Sequence, residues 1–168
     1  MLVTSAQANK LLKQLAAEKS ALITNEQQSS EFVAAIQENI EDARPAYDFN
    51  ETQAKIKVID AQVREIKHAV NQFNTSTVVP EAGMTIDEVL VYIPQLTALK
   101  NKFEKMSKVL PKSRRCDYAA RSNIIEYQYA NYDVEQARAE YTCVDEELTK
   151  IQLALDKINT TVTFEISL

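Results

Sequence analysis

Apolar residues recur at alternating three- and four-residue steps along most of this chain, the spacing that keeps them on one stripe of an α-helix. After Asn50, a good helix N-cap, the stripe runs Ile56, Ile59, Val63, Ile66, Val70 and Phe73 without a miss. After Thr85 it runs Val89, Tyr92, Leu96, Leu99, Phe103, Met106 and Leu110. After Asp133 it runs Ala137, Tyr141, Val144, Leu148, Ile151, Leu155 and Ile158. These stripes predict helices over about 50–73, 86–110 and 134–158. A first helix is predicted over about 4–42. There Leu12, Leu15 and Leu22 share a stripe that Val33, Ile36 and Ile40 resume, with Glu26 and Ser29 on the same stripe between them. That polar middle leaves two readings open, an unbroken helix with an exposed centre or a hinge near 24–30.

The helix starts carry recognisable chemistry. Thr4 is a plausible cap. Thr85 and Glu88 have capping-box spacing, in which each side chain satisfies the other's free backbone N–H. Asp133 and Glu135 put negative charge at a helix N-terminus, where the macrodipole favours it. Pro111 stops the third helix. Pro94 lies inside it and removes one backbone hydrogen bond, so a continuous but kinked helix is expected. The turn Arg44-Pro45-Ala46-Tyr47-Asp48-Phe49 reverses the chain, making helices one and two an antiparallel hairpin.

Two segments change period. Ile125, Tyr127 and Tyr129 alternate with polar or small residues, as do Val162, Phe164 and Ile166. Alternation of β-branched and aromatic residues reads as strand, over about 124–130 and 161–166. A two-stranded ribbon is marginal alone, so each strand must pack on helices, pair with the 75–79 segment, or pair with another subunit.

Composition narrows the chemistry. The single glycine, Gly83, rules out a Gly-rich phosphate loop and disfavours a hairpin-rich sheet protein. The only histidine, His68, has no partner for a zinc site or a catalytic pair, and reads as a helix-surface or part-buried residue. Glu38, Glu41 and Asp42, like Asp145, Glu146 and Glu147, read as solvated faces. Carboxylate di-iron bundles need a Glu–His pair on each of two helices, which one histidine cannot supply. Cys116 and Cys143 read as reduced, part-buried thiols rather than a disulfide framework. Residues 1–15 lack the continuous apolar core of a secretory signal. The apolar stretch 89–99 is too short to span a bilayer. The expectation is a cytoplasmic protein with no catalytic residue, no metal, no cofactor and no small-molecule substrate.

The net charge of −5 is unevenly spread. Lys100, Lys102, Lys105, Lys108, Lys112, Arg114 and Arg115 stand against Glu104 alone, giving that segment +6 and the remainder −11. With Arg121 nearby, these residues form a candidate surface for an anion or protein partner. The plainer reading is a solvated face that also complements a helix C-terminus. As an anion surface the run could meet nucleic acid or an anionic membrane, but it lacks the interleaved aromatics of single-strand binders. It could also meet an acidic face of a second copy. Tyr118, Tyr127, Tyr129 and Tyr132 are a dense row, more often the packed face of a strand or an interface than a stacking surface.

From about Asn50 to Ile166 the chain resembles a family of small bacterial helical proteins, some described as septicolysin-like. The likeness rests on Phe73-Asn74-Thr75 closing a helix and Thr85-Ile86-Asp87-Glu88 opening the next. It rests also on Arg121-Ser122-Asn123-Ile124-Ile125-Glu126-Tyr127 leading to Tyr132-Asp133-Val134, and on Asn159-Thr160-Thr161. The resemblance implies a helical, self-associating protein and supplies no activity or catalytic residue.

The sequence therefore predicts a single mainly α domain over 1–168. Its long antiparallel helices lie in a bundle or coiled-coil hairpin arrangement, with a small β element near the C-terminus. The expected role is a non-enzymatic structural or interaction protein, a homo-oligomer joined through helix seams and strand edges. The alternatives are an anion-binding module using the basic segment and a membrane-active lytic protein.

Overall fold

The computed structural model describes residues 1–114 and 125–167. The elements in chain order are β1 (Leu2–Thr4), α1 (Ser5–Ser29), α2 (Ile40–Ala43), α3 (Phe49–Ser76), β2 (Val78–Val79), β3 (Met84–Thr85), α4 (Ile86–Ser107), β4 (Lys112–Arg114), β5 (Tyr127–Tyr129), α5 (Val134–Thr161) and β6 (Thr163–Glu165). The fold is mainly α with small antiparallel strand pairs, as the stripes predict. The chain divides into two units, residues 1–74 with 157–168 and residues 75–156.

The first unit is an antiparallel hairpin of α1 and α3. Lys19 bonds Asp60 at 2.6 Å, and Gln53 donates to Glu26 at 2.8 Å, so numbers fall on one helix as they rise on the other, one for one. At its base Val3, Ala8, Ile66 and Ile166 form a buried cluster, flanked by Leu11, Leu12, Leu15, Ala69, Val70 and Phe164. β1 pairs with β6, Leu2 opposite Glu165 and Thr4 opposite Thr163. The Phe164 ring stacks on Phe73 at 4.6 Å between centroids. Thr4 ends the strand and caps α1, its hydroxyl accepting from the Gln7 N–H while the Gln7 side chain accepts from the Thr4 N–H.

The first helix stops at Ser29 rather than running to about residue 42. The register gives the reason. Glu26 faces Gln53, so Ser30 stands opposite Phe49, the first residue of α3. Beyond that point the stripe of Val33, Ile36 and Ile40 has no partner helix, and a lone helix of that length is marginal in water. The chain instead forms a loop, with the single turn α2 capped by the Asn39 side chain. The second helix starts one residue early and runs three further, to Ser76. Its cap is Asp48, which accepts from the Glu51 N–H at 2.9 Å; Asn50 lies in its first turn.

The second unit opens with the hairpin β2–β3, Val79 opposite Met84. Gly83 takes φ +65°, the only positive φ among the described residues, and its N–H closes the turn onto the Val79 carbonyl at 2.9 Å. α4 then starts on the Thr85–Glu88 capping box, as its spacing predicts. It runs through Pro94 and ends at Ser107, three residues before the stripe does. α5 returns antiparallel to it. Tyr92 donates to Glu147 at 2.7 Å, and near the other end Tyr132 donates to the Met106 carbonyl at 2.9 Å. Val89 and Leu96 on α4, with Ala137, Val144, Leu148 and Ile151 on α5, are buried. Asp133 caps α5 by accepting from the Glu135 N–H, and the helix runs to Thr161, past its predicted end.

The two strands predicted near the C-terminus are present in shortened form, 127–129 and 163–165. Neither pairs with residues 75–79. β5 pairs with β4, Lys112 opposite Tyr129 and Arg114 opposite Tyr127. β6 pairs with β1.

Candidate functional site

α4 carries Lys100, Lys102 and Lys105; Lys108 is its C-cap; Lys112 and Arg114 lie on β4. Arg115 and Arg121 lie outside the described residues, as do Cys116 and Tyr118. At 100° per residue the helical lysines fan around α4 rather than sharing one face. Two are held within the chain. Lys100 pairs with Asp145 and Lys108 with Glu104, both at 2.5 Å. The hydrogen bond to Asp145 raises Lys100 above the usual lysine range, and that to Glu104 does the same for Lys108. Glu104 is lowered in turn, chiefly by its bond to Lys108.

The strand pairing supplies what the linear sequence lacks. Residues 112 and 114 alternate onto one face of the β4–β5 ribbon, and their cross-strand partners 129 and 127 stand on the same face. The Lys112 ammonium lies 4.3 Å from the Tyr127 ring centroid and 5.5 Å from that of Tyr129. The two rings are 6.5 Å apart and tilted by 51°. Tyr127 is 49% and Tyr129 62% exposed, with exposed Leu110 beyond one end of the ribbon and exposed Ile125 beyond the other. The outcome is a solvent-facing surface of two cations and two aromatic rings. Such a face can hold an anion, stack a planar group, or bury against a protein partner.

Below it a groove of about 390 Å³ is lined by Phe103, Met106, Tyr132, Asp133, Gln136, Ala137 and Glu140. Its Asp133 is engaged by the N-terminus of α5 and its Tyr132 hydroxyl by Met106, so neither is poised as a base. Among the described residues no group of three His, Cys, Asp or Glu side chains could hold a metal. His68 is exposed on α3, and Cys143 is a free thiol exposed on α5 rather than part-buried. No described helix is long and apolar enough to cross a membrane.

A second exposed surface lies at the far end of the α1–α3 hairpin. Val33 is 95% and Ile36 105% exposed, with Phe32 and Ile40 beside them. Glu31, Glu38, Glu41 and Asp42 lie in the same stretch of chain, all exposed, and the Arg44 guanidinium sits 5.7 Å over the Phe32 ring. The polar run 24–30 that breaks the stripe is the sequence signal for this loop.

These features define a mainly α protein of helical hairpins with two exposed surfaces of mixed apolar and charged character. No protein-family model and no curated protein matches the chain. A solved structure shares the fold. It is described as a functionally unknown conserved protein from Corynebacterium diphtheriae, aligned over 98% of this chain and 100% of that one with a TM-score of 0.60 and 15% identity. At that identity the likeness concerns the fold alone.

Proposed function

We propose that this is a non-enzymatic cytoplasmic interaction protein that associates with itself through strand edges and part-covered helix seams. The observation that carries the reading is the exposure of Val33 and Ile36, apolar side chains held in water by a loop of the chain. The half-covered α1–α3 seam supports it too. Leu12, Leu15, Leu22, Ile56 and Val63 each remain part-exposed, and a groove of about 240 Å³ runs beside Leu11, Leu15 and Ile66. Two-stranded ribbons add unpaired outer edges, which invite a further strand. Self-association is also what the resemblance to the septicolysin-like helical family implies. Light scattering at micromolar concentration is the test. A mass above that of one chain is expected, and a strict monomer overturns the reading.

The ribbon favours a second reading, an anion-binding module. Lys112 and Arg114 would meet phosphate, and Tyr127 and Tyr129 would stack bases. Binding of single-stranded DNA that weakens with salt and is lost in Lys112→Ala with Tyr129→Ala would support it; absent or salt-insensitive binding would dispose of it.

A further inference from the structure

We propose that the 31–42 loop of one copy docks on the β4–β5 ribbon face of a second copy, in a head-to-tail contact. This rests on the self-association reading and adds a loop-to-ribbon contact to the strand edges and helix seams named there. The loop presents Val33, Ile36 and Ile40 to water, and the exposed Glu31, Glu38, Glu41 and Asp42 of the same segment outweigh the one cation beside it, Arg44. The ribbon presents Tyr127 and Tyr129 on the same face as Lys112 and Arg114. Each surface has an apolar centre and charged neighbours, and the charges are opposite in sign. Loop against loop would set carboxylates against carboxylates, and ribbon against ribbon would set cations against cations. Only the mixed contact buries both apolar centres while pairing the charges. Because the two surfaces differ, the contact is heterologous, and it closes into a ring or extends as a filament.

The internal pairings leave charge for this contact. Glu41 is taken by Arg44, while Glu38 accepts only from the neutral Ala35 N–H, so Glu31, Glu38 and Asp42 keep the loop net negative. Lys112 rests on its own tyrosines, which holds an ammonium and two rings as one preformed surface. Preorganisation of this kind lowers the cost of ordering on binding.

Complementation of two variants tests it by analytical ultracentrifugation. One chain carries Val33→Asp and Ile36→Asp, the other Lys112→Glu and Arg114→Glu. All four sites are exposed or loop-borne, and unchanged helical circular dichroism verifies each fold. If either chain loses helicity, Ile36→Ser and Tyr129→Ser replace the pairs. Each variant alone is expected to self-associate at least about tenfold more weakly than the parent chain. Their equimolar mixture, keeping one intact loop and one intact ribbon, is expected to form a dimer and nothing larger. Association of the parent chain is expected to weaken as salt rises. If either variant alone assembles like the parent, the docking proposal fails while self-association stands. A mixture that stays monomeric also overturns it, because that mixture holds the one intact loop and one intact ribbon that the contact requires. A parent chain that is monomeric throughout removes both.

Discussion

The two helical hairpins of this protein begin alike and end differently. Each opens on a threonine capping box, Thr4 with Gln7 on α1 and Thr85 with Glu88 on α4. At the far end α1 and α3 part into a loop that leaves Val33 and Ile36 in water. α4 and α5 instead hand their antiparallel course to a ribbon, with the Ala130 N–H donating to the Pro111 carbonyl and Lys112 pairing with Tyr129. Burial differs as well. The α5 stripe is covered along most of its length, whereas α1 has only Ser5 and Ala8 buried. A heptad stripe specifies which face a helix will bury. How far that burial extends depends on where a partner stops.

The largest effects should follow this gradient. Leu96 is 2% exposed in the α4–α5 seam, and Ile66 is fully buried at the base of the α1–α3 hairpin. Leu96→Ala and Ile66→Ala should each cost about 3 kcal/mol in urea unfolding, through lost transfer energy and a residual cavity. Leu22 and Ile56, part-exposed further along the α1–α3 hairpin, can be relaxed around by solvent. Leu22→Ala and Ile56→Ala should cost roughly 1 kcal/mol each. Equal losses at all four positions would show that the α1–α3 seam is covered along its whole length, and the contrast between the hairpins would disappear.

What could be read in advance follows from the same physics. The stripes of α3, α4 and α5 and the Thr85 box are local patterns, and local patterns specify local structure. The stripe of Val33, Ile36 and Ile40 predicts a longer first helix than the one that ends at Ser29. Their period was correct for a helix, but period carries no information about whether a partner is present. β5 and β6 were legible because aromatic and β-branched residues alternate there. Their partners were not, since Leu-Val-Thr and Lys-Ser-Arg are too short to show an alternation, and β1 finds its partner at the other end of the chain. The basic segment was visible as composition. That Lys100 and Lys108 are paired, and that Lys112 sits against two tyrosines, depends on helix packing and strand register, which composition does not encode.

The two capping boxes sharpen the comparison on a smaller scale. Thr85→Ala and Thr4→Ala should each cost about 1 kcal/mol. Their pH dependence should differ, because Glu88 titrates and Gln7 does not. Hydrogen bonds from the Thr85 backbone and hydroxyl hold Glu88 below the usual carboxylate range. A lowered folded pKa gives stability that is present above the unfolded value near ~4.3 and lost as pH falls through the folded one. Acidification below that value should therefore weaken the α4 start, and Glu88→Gln should remove this part of the acid response. Gln7→Glu should introduce a matching acid response at α1. Acid titrations followed by circular dichroism would show it, and an unchanged acid limb in Glu88→Gln would assign that response to other carboxylates.

The smallest effects belong to the ion pairs that bridge each hairpin, Lys19 with Asp60 and Lys100 with Asp145. Both are short, yet their side chains keep about a third or more of their exposure, so water competes for each charge. Exposed pairs gain little net energy because ordering two side chains offsets most of the Coulomb attraction. Asp60→Asn and Asp145→Asn should each cost at most about 0.5 kcal/mol, and the cost should shrink further at high salt. Lys100 adds a sign that can be checked. Its bond to Asp145 raises its folded pKa, so its contribution is present below the unfolded lysine value near ~10.4 and fades as pH rises through the folded one. Asp145→Asn should flatten that alkaline loss. A cost of several kcal/mol at either aspartate would mean that the pair holds its hairpin in register, and that the apolar seam alone does not set how the helices align.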